Sequence, residues 1–324
     1  MEAIWENIIS NKANPLYWPA VMILMVVSIL YQLGLLLRKT FRSKPIKTKA
    51  TVISVGNLTV GGTGKTPVAI FLANYYLGKG KTVGIVSSGY GRQIKTNICD
   101  TGQEISQFNL KETGDELMEM AENLPNVYFS VAKSKTDAAL RLEKKYQVDI
   151  IIIDDGFQHQ KLYRSLNILL IDANYDLRNE SIFPLGRLRE NLSAGNRADL
   201  ILLTKANYTK NNNNFCQWLK NRYSDKPMAK LFFINNILVS NQNEISLDSI
   251  STRSCYLFAG IGNFHGLQNY IKQNLTNLIG WRQFSDQCQY NQAEIDKIKN
   301  DLEKYQPEFI ITTYKDYVKL KDFN

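Results

Sequence analysis

Gly61-Gly62-Thr63-Gly64-Lys65-Thr66 is a run of residue types and spacings suited to holding a polyphosphate. Glycines let consecutive backbone N–H groups curl around phosphate oxygens, a lysine reaches the outer phosphates, and a threonine hydroxyl ligates Mg²⁺. The flanks suit this chemistry. The apolar run Thr51-Val52-Ile53-Ser54-Val55 reads as a strand feeding the turn, and the helix that follows aims its positive end at the same anion. The loop is a variant: where a glycine is usual, five residues before Gly64, the chain has Thr59. Thr59, Val60, Gly61, Gly62, Thr63, Gly64, Lys65 and Thr66 are the expected binding loop for a nucleoside triphosphate and Mg²⁺. A plain glycine-rich turn is the rival reading.

A second group of residues carries negative charge. The strand Ile150–Ile153 ends in Asp154-Asp155. Downstream of a phosphate loop, a carboxylate there holds the metal that bridges phosphate oxygens; otherwise it is an acidic strand-end turn. His159, one of two histidines, lies close behind, where a functional and a structural role are equally open. Gly114-Asp115-Glu116 opens a helix. Its acids either complement the helix dipole or ligate Mg²⁺ and accept a hydroxyl proton, and spacing alone leaves both open. Arg92, after Ser87-Ser88-Gly89-Tyr90-Gly91, suits phosphate or a plain loop. Arg187 and Arg189, in Phe183-Pro184-Leu185-Gly186-Arg187-Leu188-Arg189-Glu190, suit an anionic head group or a solvated surface.

The elements that must position these residues alternate in type. Strand-like runs at Thr51–Val55, Thr82–Ser87, Val127–Val131, Ile150–Ile153, Leu166–Ile171 and Leu200–Thr204 are short and rich in β-branched residues, as strands buried on both faces are. Helical stretches at 65–79, 114–123 and 134–146 fill the gaps. The pattern predicts a P-loop α/β fold, a mostly parallel sheet with helices on both faces and ligands at the carboxyl ends of the strands. After Lys230–Val239 a smaller α/β lobe is expected, with strands at Cys255–Ala259 and Phe309–Thr313 and helices at 267–274 and 292–305. The expected division is 1–49, 50–228 and 229–324, with substrate in the crevice between the two lobes.

Pro19 to Leu37 contains no charge, and its nineteen residues reach roughly 28 Å as a helix, close to the hydrocarbon thickness of a bilayer. Tyr17 and Trp18 precede it, and Arg38, Lys39, Arg42, Lys44, Lys47 and Lys49 follow it. The charge bias predicts a membrane anchor with the rest of the chain in the cytoplasm; a buried or surface-lying helix is the alternative. Over the 324 residues the net charge is +9, which suits anionic membranes or phosphorylated substrates, and no nucleic-acid partner is expected. Four scattered cysteines suggest neither a zinc cage nor disulfides.

At these motifs the chain resembles the tetraacyldisaccharide 4′-kinases of lipid A biosynthesis. The resemblance rests on Val55 to Pro67, Ser88-Gly89-Tyr90-Gly91-Arg92, Gly114-Asp115-Glu116, Asp154 to His159 and Pro184 to Glu190, in the family's order, and Thr59 itself fits the family's variant loop. It implies a monomeric inner-membrane kinase that moves the γ-phosphate of ATP to the 4′-hydroxyl of a tetraacyldisaccharide 1-phosphate, with Mg²⁺. It further implies that Lys65 cradles phosphates and that Thr66, Glu116 and Asp154 hold the metal. Lys65, Asp115, Asp154, Asp155 and His159 would be catalytic, and Tyr90, Arg92, Arg187 and Arg189 would meet substrate.

The chain departs from the family at Gln287 and Cys288, where an Asp-His-His segment is usual, and at Thr313-Tyr314-Lys315-Asp316, where Thr-Glu-Lys-Asp is usual. The first of those histidines partners the aspartate matching Asp115, and a glutamine cannot take a proton near neutral pH. A nucleotide-binding regulator with weak or no catalysis is therefore the alternative. A cytosolic P-loop ligase or GTPase is a third reading, opposed by the anchor and by the lack of an Asn-Lys-x-Asp motif, of which Thr204-Lys205-Ala206-Asn207 is a faint echo.

Overall fold

The computed structural model describes residues 2–40, 44–89, 91–207, 213–233, 237–240, 243–262, 264–275, 277–285 and 288–320. The chain divides into two compact units, Met1–Phe232 and Phe233–Asn324.

The first unit is organised by an eight-stranded sheet. Its strands in chain order are β1 (Thr51–Asn57), β2 (Val83–Val86), β3 (Ile98–Thr101), β4 (Tyr128–Val131), β5 (Ile150–Asp154), β6 (Leu166–Asp172), β7 (Leu200–Thr204) and β8 (Met228–Lys230). They lie in the order β3-β4-β2-β5-β1-β6-β7-β8. All neighbours are parallel except β3, which runs antiparallel to β4 at the edge. β3 escaped the sequence reading because Ile-Cys-Asp-Thr is short and half-buried, with none of the apolar continuity of a central strand.

That continuity has a direct cause. Ile53, Val55 and Ile152 pack beneath α3 (Lys65–Leu77), while Val52, Ile151 and Ile153 point to the opposite face. There they meet Ala138, Ala139 and Leu142 of a helix at Lys135–Tyr146. Successive strand side chains alternate faces, so covering both faces demands apolar residues at every position.

Before the sheet come α1 (Glu2–Ser10) and α2 (Trp18–Thr40); then α3; two short turns, α4 (Gly102–Ile105) and α5 (Leu110–Thr113); α6 (Asp115–Asn123); α7 (Lys135–Tyr146); and α8 (Asn213–Arg222). The apolar stretch Pro15–Leu37 has a mean hydropathy of 2.4 and is almost wholly exposed. Ser28 and Tyr31 fasten it to residues 182–189. Ser28 donates to the Ile182 carbonyl (2.9 Å) and the Tyr31 hydroxyl to the Arg189 carbonyl (3.0 Å). From α1, Trp5 donates to the Pro184 carbonyl (2.7 Å) and packs on Phe183, which Tyr31 also meets edge-on.

The second unit pairs β9 (Ile237–Ser240) with β10 (Asn243–Ser246) as a hairpin and builds a parallel sheet in the order β12-β11-β13. Here β11 is Cys255–Ala259, β12 Leu278–Gln283 and β13 Phe309–Ile311, with helices α9 (Phe264–Asn274), α10 (Gln292–Tyr305) and α11 (Tyr314–Leu320). β12 was missed because Gly280 interrupts its apolar run; a Cβ there would meet the Tyr305 and Tyr256 rings at 2.9–3.0 Å.

Candidate active site

The phosphate loop leaves the carboxyl end of β1 and enters α3 through Gly64, whose φ of +80° favours glycine. As N-cap, Gly64 offers no side chain to the first turn of α3, so those N–H groups stay open to an anion. Lys65 and Thr66 are the first two helical residues, and Thr66 is buried. The loop entrance is tied to the arginine segment: Val60 N–H donates to the Arg187 carbonyl (2.8 Å), Arg189 N–H donates to the Leu58 carbonyl (2.7 Å), and Thr59 bridges Leu188.

In the centre of the sheet, β5 pairs with β1 and delivers Asp154 and Asp155 beside the loop. Register does this, because Val55 of β1 lies opposite Asp154. The turn beyond is tight. Gly156 N–H donates to the Val55 carbonyl (2.9 Å), and a Cβ on Gly56 would stand 2.6 Å from the Phe157 nitrogen.

The two carboxylates sit in opposite surroundings. Asp154 is 1% exposed and its Oδ1 has no hydrogen-bond partner. Burial, and then the negative charge of Glu116, push its carboxyl up from 3.8 to about 6, against the pull of Lys135 and Lys65. Asp155 adopts a left-handed φ of +51°. It accepts two hydrogen bonds from Arg189 Nη1 (2.7 and 3.0 Å) and lies 3.8 Å from Lys65 Nζ. Burial alone would raise its carboxyl, but Lys65, Arg189 and Lys135 hold it below the usual carboxylate range. Neighbouring acids driven apart in this way are a mark of sites with divided roles.

Lys135, at the start of α7, was not singled out from sequence. Its ammonium donates to the Asp154 carbonyl and to the Asp155 carbonyl (2.6 Å), pinning the turn from below. Burial lowers its pKa. A signal was present: a lysine in the first turn of a helix opposes the helix dipole and calls for a local partner. The next residue, Thr136, bonds His159 Nε2 through its hydroxyl (3.0 Å), and Gln158 donates to the Asn57 carbonyl (2.8 Å).

Asp115 and Glu116 form the first turn of α6 after Gly114, at φ +73°, which supplies no side-chain cap. Glu116 stands near enough to raise the Asp154 pKa. The structure therefore gathers Lys65, Thr66, Asp154, Asp155, Glu116 and Arg189 around one loop. An unpartnered buried carboxylate oxygen with a threonine hydroxyl and a second acid nearby fits a hard divalent cation. Among the described residues no three carboxylate, imidazole or thiolate side chains converge, so such an ion would draw its other ligands from phosphate and water.

The profile of the Tetraacyldisaccharide-1-P 4′-kinase family (LpxK) matches residues 20–324. The chain belongs to this family. It is 32% identical over 306 residues to a tetraacyldisaccharide 4′-kinase of Geobacter metallireducens, covering 92% of this chain and 88% of the relative. It is likewise 32% identical over 284 residues to one of Bdellovibrio bacteriovorus, covering 85% and 81%. Its structure is similar to that of LpxK from Aquifex aeolicus in complex with ATP, with a TM-score of 0.74 and 31% identity over 94% of this chain and 91% of that one.

Within the kinase family's motifs, two arginines expected at substrate are engaged elsewhere. Arg92 donates to the carbonyls of Glu112 and Thr96, closing its own loop. Arg187 stacks over the Tyr175 ring (4.7 Å) and reaches Glu6 of α1 (3.5 Å). Tyr90 and Gln287 lie outside the described residues. Cys288 is buried among the aromatic residues of the second unit. Thr313 and Asp316 exchange hydrogen bonds at the start of α11, and buried Asp316 also accepts from Gly260 N–H (3.1 Å) and the Tyr290 hydroxyl (3.0 Å). The Thr-x-x-Asp pattern thus caps a helix, whatever residue stands between.

Proposed function

We infer that this chain is the ATP-dependent kinase of lipid A biosynthesis that phosphorylates the 4′-hydroxyl of a tetraacyldisaccharide 1-phosphate. The observation that carries the reading is the buried, partnerless Asp154 oxygen beside the Lys65–Asp155–Arg189 cluster at the mouth of the phosphate loop. Phosphoryl transfer asks a protein mainly to position and neutralise charge, and these groups do both. Lys65 and the open N–H groups of the loop bind the outer phosphates. Thr66, Asp154 and Glu116 would hold Mg²⁺, which would supply neutralisation of the phosphate charge. Asp155 keeps Lys65 and Arg189 in register at the transferring group. Asp115, at the start of α6, takes the proton of the acceptor hydroxyl.

The acceptor is a lipid, and α2 suits a protein that meets it at a bilayer, on the cytoplasmic side of the inner membrane given the basic residues 38–49. The decisive assay is ATP-dependent phosphorylation of a tetraacyldisaccharide 1-phosphate by the full chain in detergent. Product well above a Lys65→Ala control is expected; none above it overturns the reading. Gln287 and Cys288 favour one rival, a regulator that binds ATP without transferring phosphate. MgATP binding with no turnover would select that rival.

A further inference from the structure

Thr204 and Lys205, at the carboxyl end of β7, reach the back of the phosphate loop. The Thr204 hydroxyl donates to the Thr63 carbonyl (2.9 Å), and Lys205 Nζ donates to the Gly62 carbonyl (2.6 Å). Two consecutive loop carbonyls are thus held by two consecutive residues from the second strand over. Lys205 is itself fixed: its ammonium lies 2.6 Å from Asp172 Oδ2 at the end of β6, where Asp172 pairs in register with Thr204. That carboxylate is 4% exposed and is oriented by Asn174, whose backbone and side-chain nitrogens both donate to Oδ1 (2.9 Å). Lys205 adopts a left-handed φ of +55°, a conformation uncommon for a side chain longer than asparagine.

The geometry of the peptide bond gives these contacts a consequence. In a trans peptide the carbonyl of one residue and the N–H of the next point in opposite directions. Drawing the Gly62 and Thr63 carbonyls back toward β7 turns the N–H groups of Thr63 and Gly64 forward, into the concave face. Neither N–H has a protein acceptor among the described residues. We propose that Thr204 and Lys205, seated on Asp172, are positioning residues that aim the Thr63 and Gly64 N–H groups at the β-phosphate of bound nucleotide. The positive charge of Lys205 is matched by Asp172, so its contribution is orientation of donors set before the nucleotide arrives, the form of stabilisation that costs least on binding. This gives Thr204-Lys205-Ala206-Asn207 a role toward the phosphates that is independent of which base is bound. The inference rests on the kinase reading above.

The test is equilibrium binding of MgATP and MgADP to the full chain by calorimetry, with melting temperature measured alongside. Lys205→Met leaves Asp172 buried without its cation, so Thr204→Val and the double variant Asp172→Asn/Lys205→Met are measured beside it. Thr204→Val and the double variant are expected to weaken MgATP and MgADP alike, by about tenfold each. At saturating ATP, kcat should stay within about threefold and the KM for lipid unchanged, a split that general loosening of the fold would not produce. Lys205→Arg should recover part of the loss. Nucleotide affinities within twofold of the parent in both variants overturn the proposal, including where the melting temperature falls. A parent chain that binds MgATP but transfers no phosphate overturns the kinase reading instead and leaves this test standing.

Discussion

At the phosphate end of the site, side chains distant in sequence hold one another and the loop: Lys65 and Arg189 by Asp155, the Asp154–Asp155 turn by Lys135, the loop carbonyls by Thr204 and Lys205. Asp115 and Glu116, by contrast, are set by backbone: they open α6 directly behind a glycine at φ +73°. Long-range side-chain contacts, rather than a helix start, position the groups nearest the phosphates. Charge develops on the transferring phosphoryl group, so donors and cations set there in advance gain most.

The largest effect should come from removing the pivot of the rigid end. Asp154→Asn is expected to lower kcat by roughly 10³-fold while stabilising the nucleotide-free protein. The sign follows from the raised carboxyl. Because the folded state keeps the proton up to about pH 6, this group favours folding fully below pH 3.8, and that contribution is lost as pH rises through 6. Above pH 6 the buried charge costs about 3 kcal/mol. Denaturant titrations across pH 4–7 should show that slope in the parent and its absence in Asp154→Asn; parallel curves would break the account of Asp154.

Arg189→Ala removes two charge-assisted bonds to Asp155 and should lower kcat about 10- to 100-fold, with the KM for lipid little changed. A larger change in lipid KM than in kcat would place Arg189 at the acceptor end and erase the contrast. Gln287→His sharpens the comparison from the other side: restoring an imidazole where the family usually has one should raise kcat about tenfold and add an acid limb near pH 6.5. An unchanged rate would mean that proton removal is not limiting. The smallest effect is expected for Tyr31→Phe, which loses one bond to the Arg189 carbonyl; kcat should fall about twofold, with binding to anionic vesicles unchanged.

The phosphate loop and the Asp154-Asp155 pair were legible because their chemistry is written in consecutive residues between strong apolar strands. The long parallel strands were legible for the same reason: burial on both faces leaves an unbroken apolar run. What remained hidden depends on distance along the chain. Lys205 meets Gly62 across 143 residues, and Lys135 meets Asp155 across 20, through packing that no local pattern records. Arg92 shows the reverse. Its position after a strand suggested phosphate, but the carbonyls of Glu112 and Thr96 lay closer and took the guanidinium.

The polar seam between the N-terminal helices and residues 182–189 sets terms for anyone wishing to handle this protein without detergent. Cutting the chain at residue 40 would strip Trp5, Ser28 and Tyr31 from the carbonyls of Pro184, Ile182 and Arg189, and leave Phe183 bare beside the segment tied to the loop entrance. Repainting serves better than amputation. Met22, Val26, Leu30 and Leu33 point outward, each at least half exposed. Exchanging them for lysine and glutamate would give a water-soluble helix that still grips the enzyme where it should.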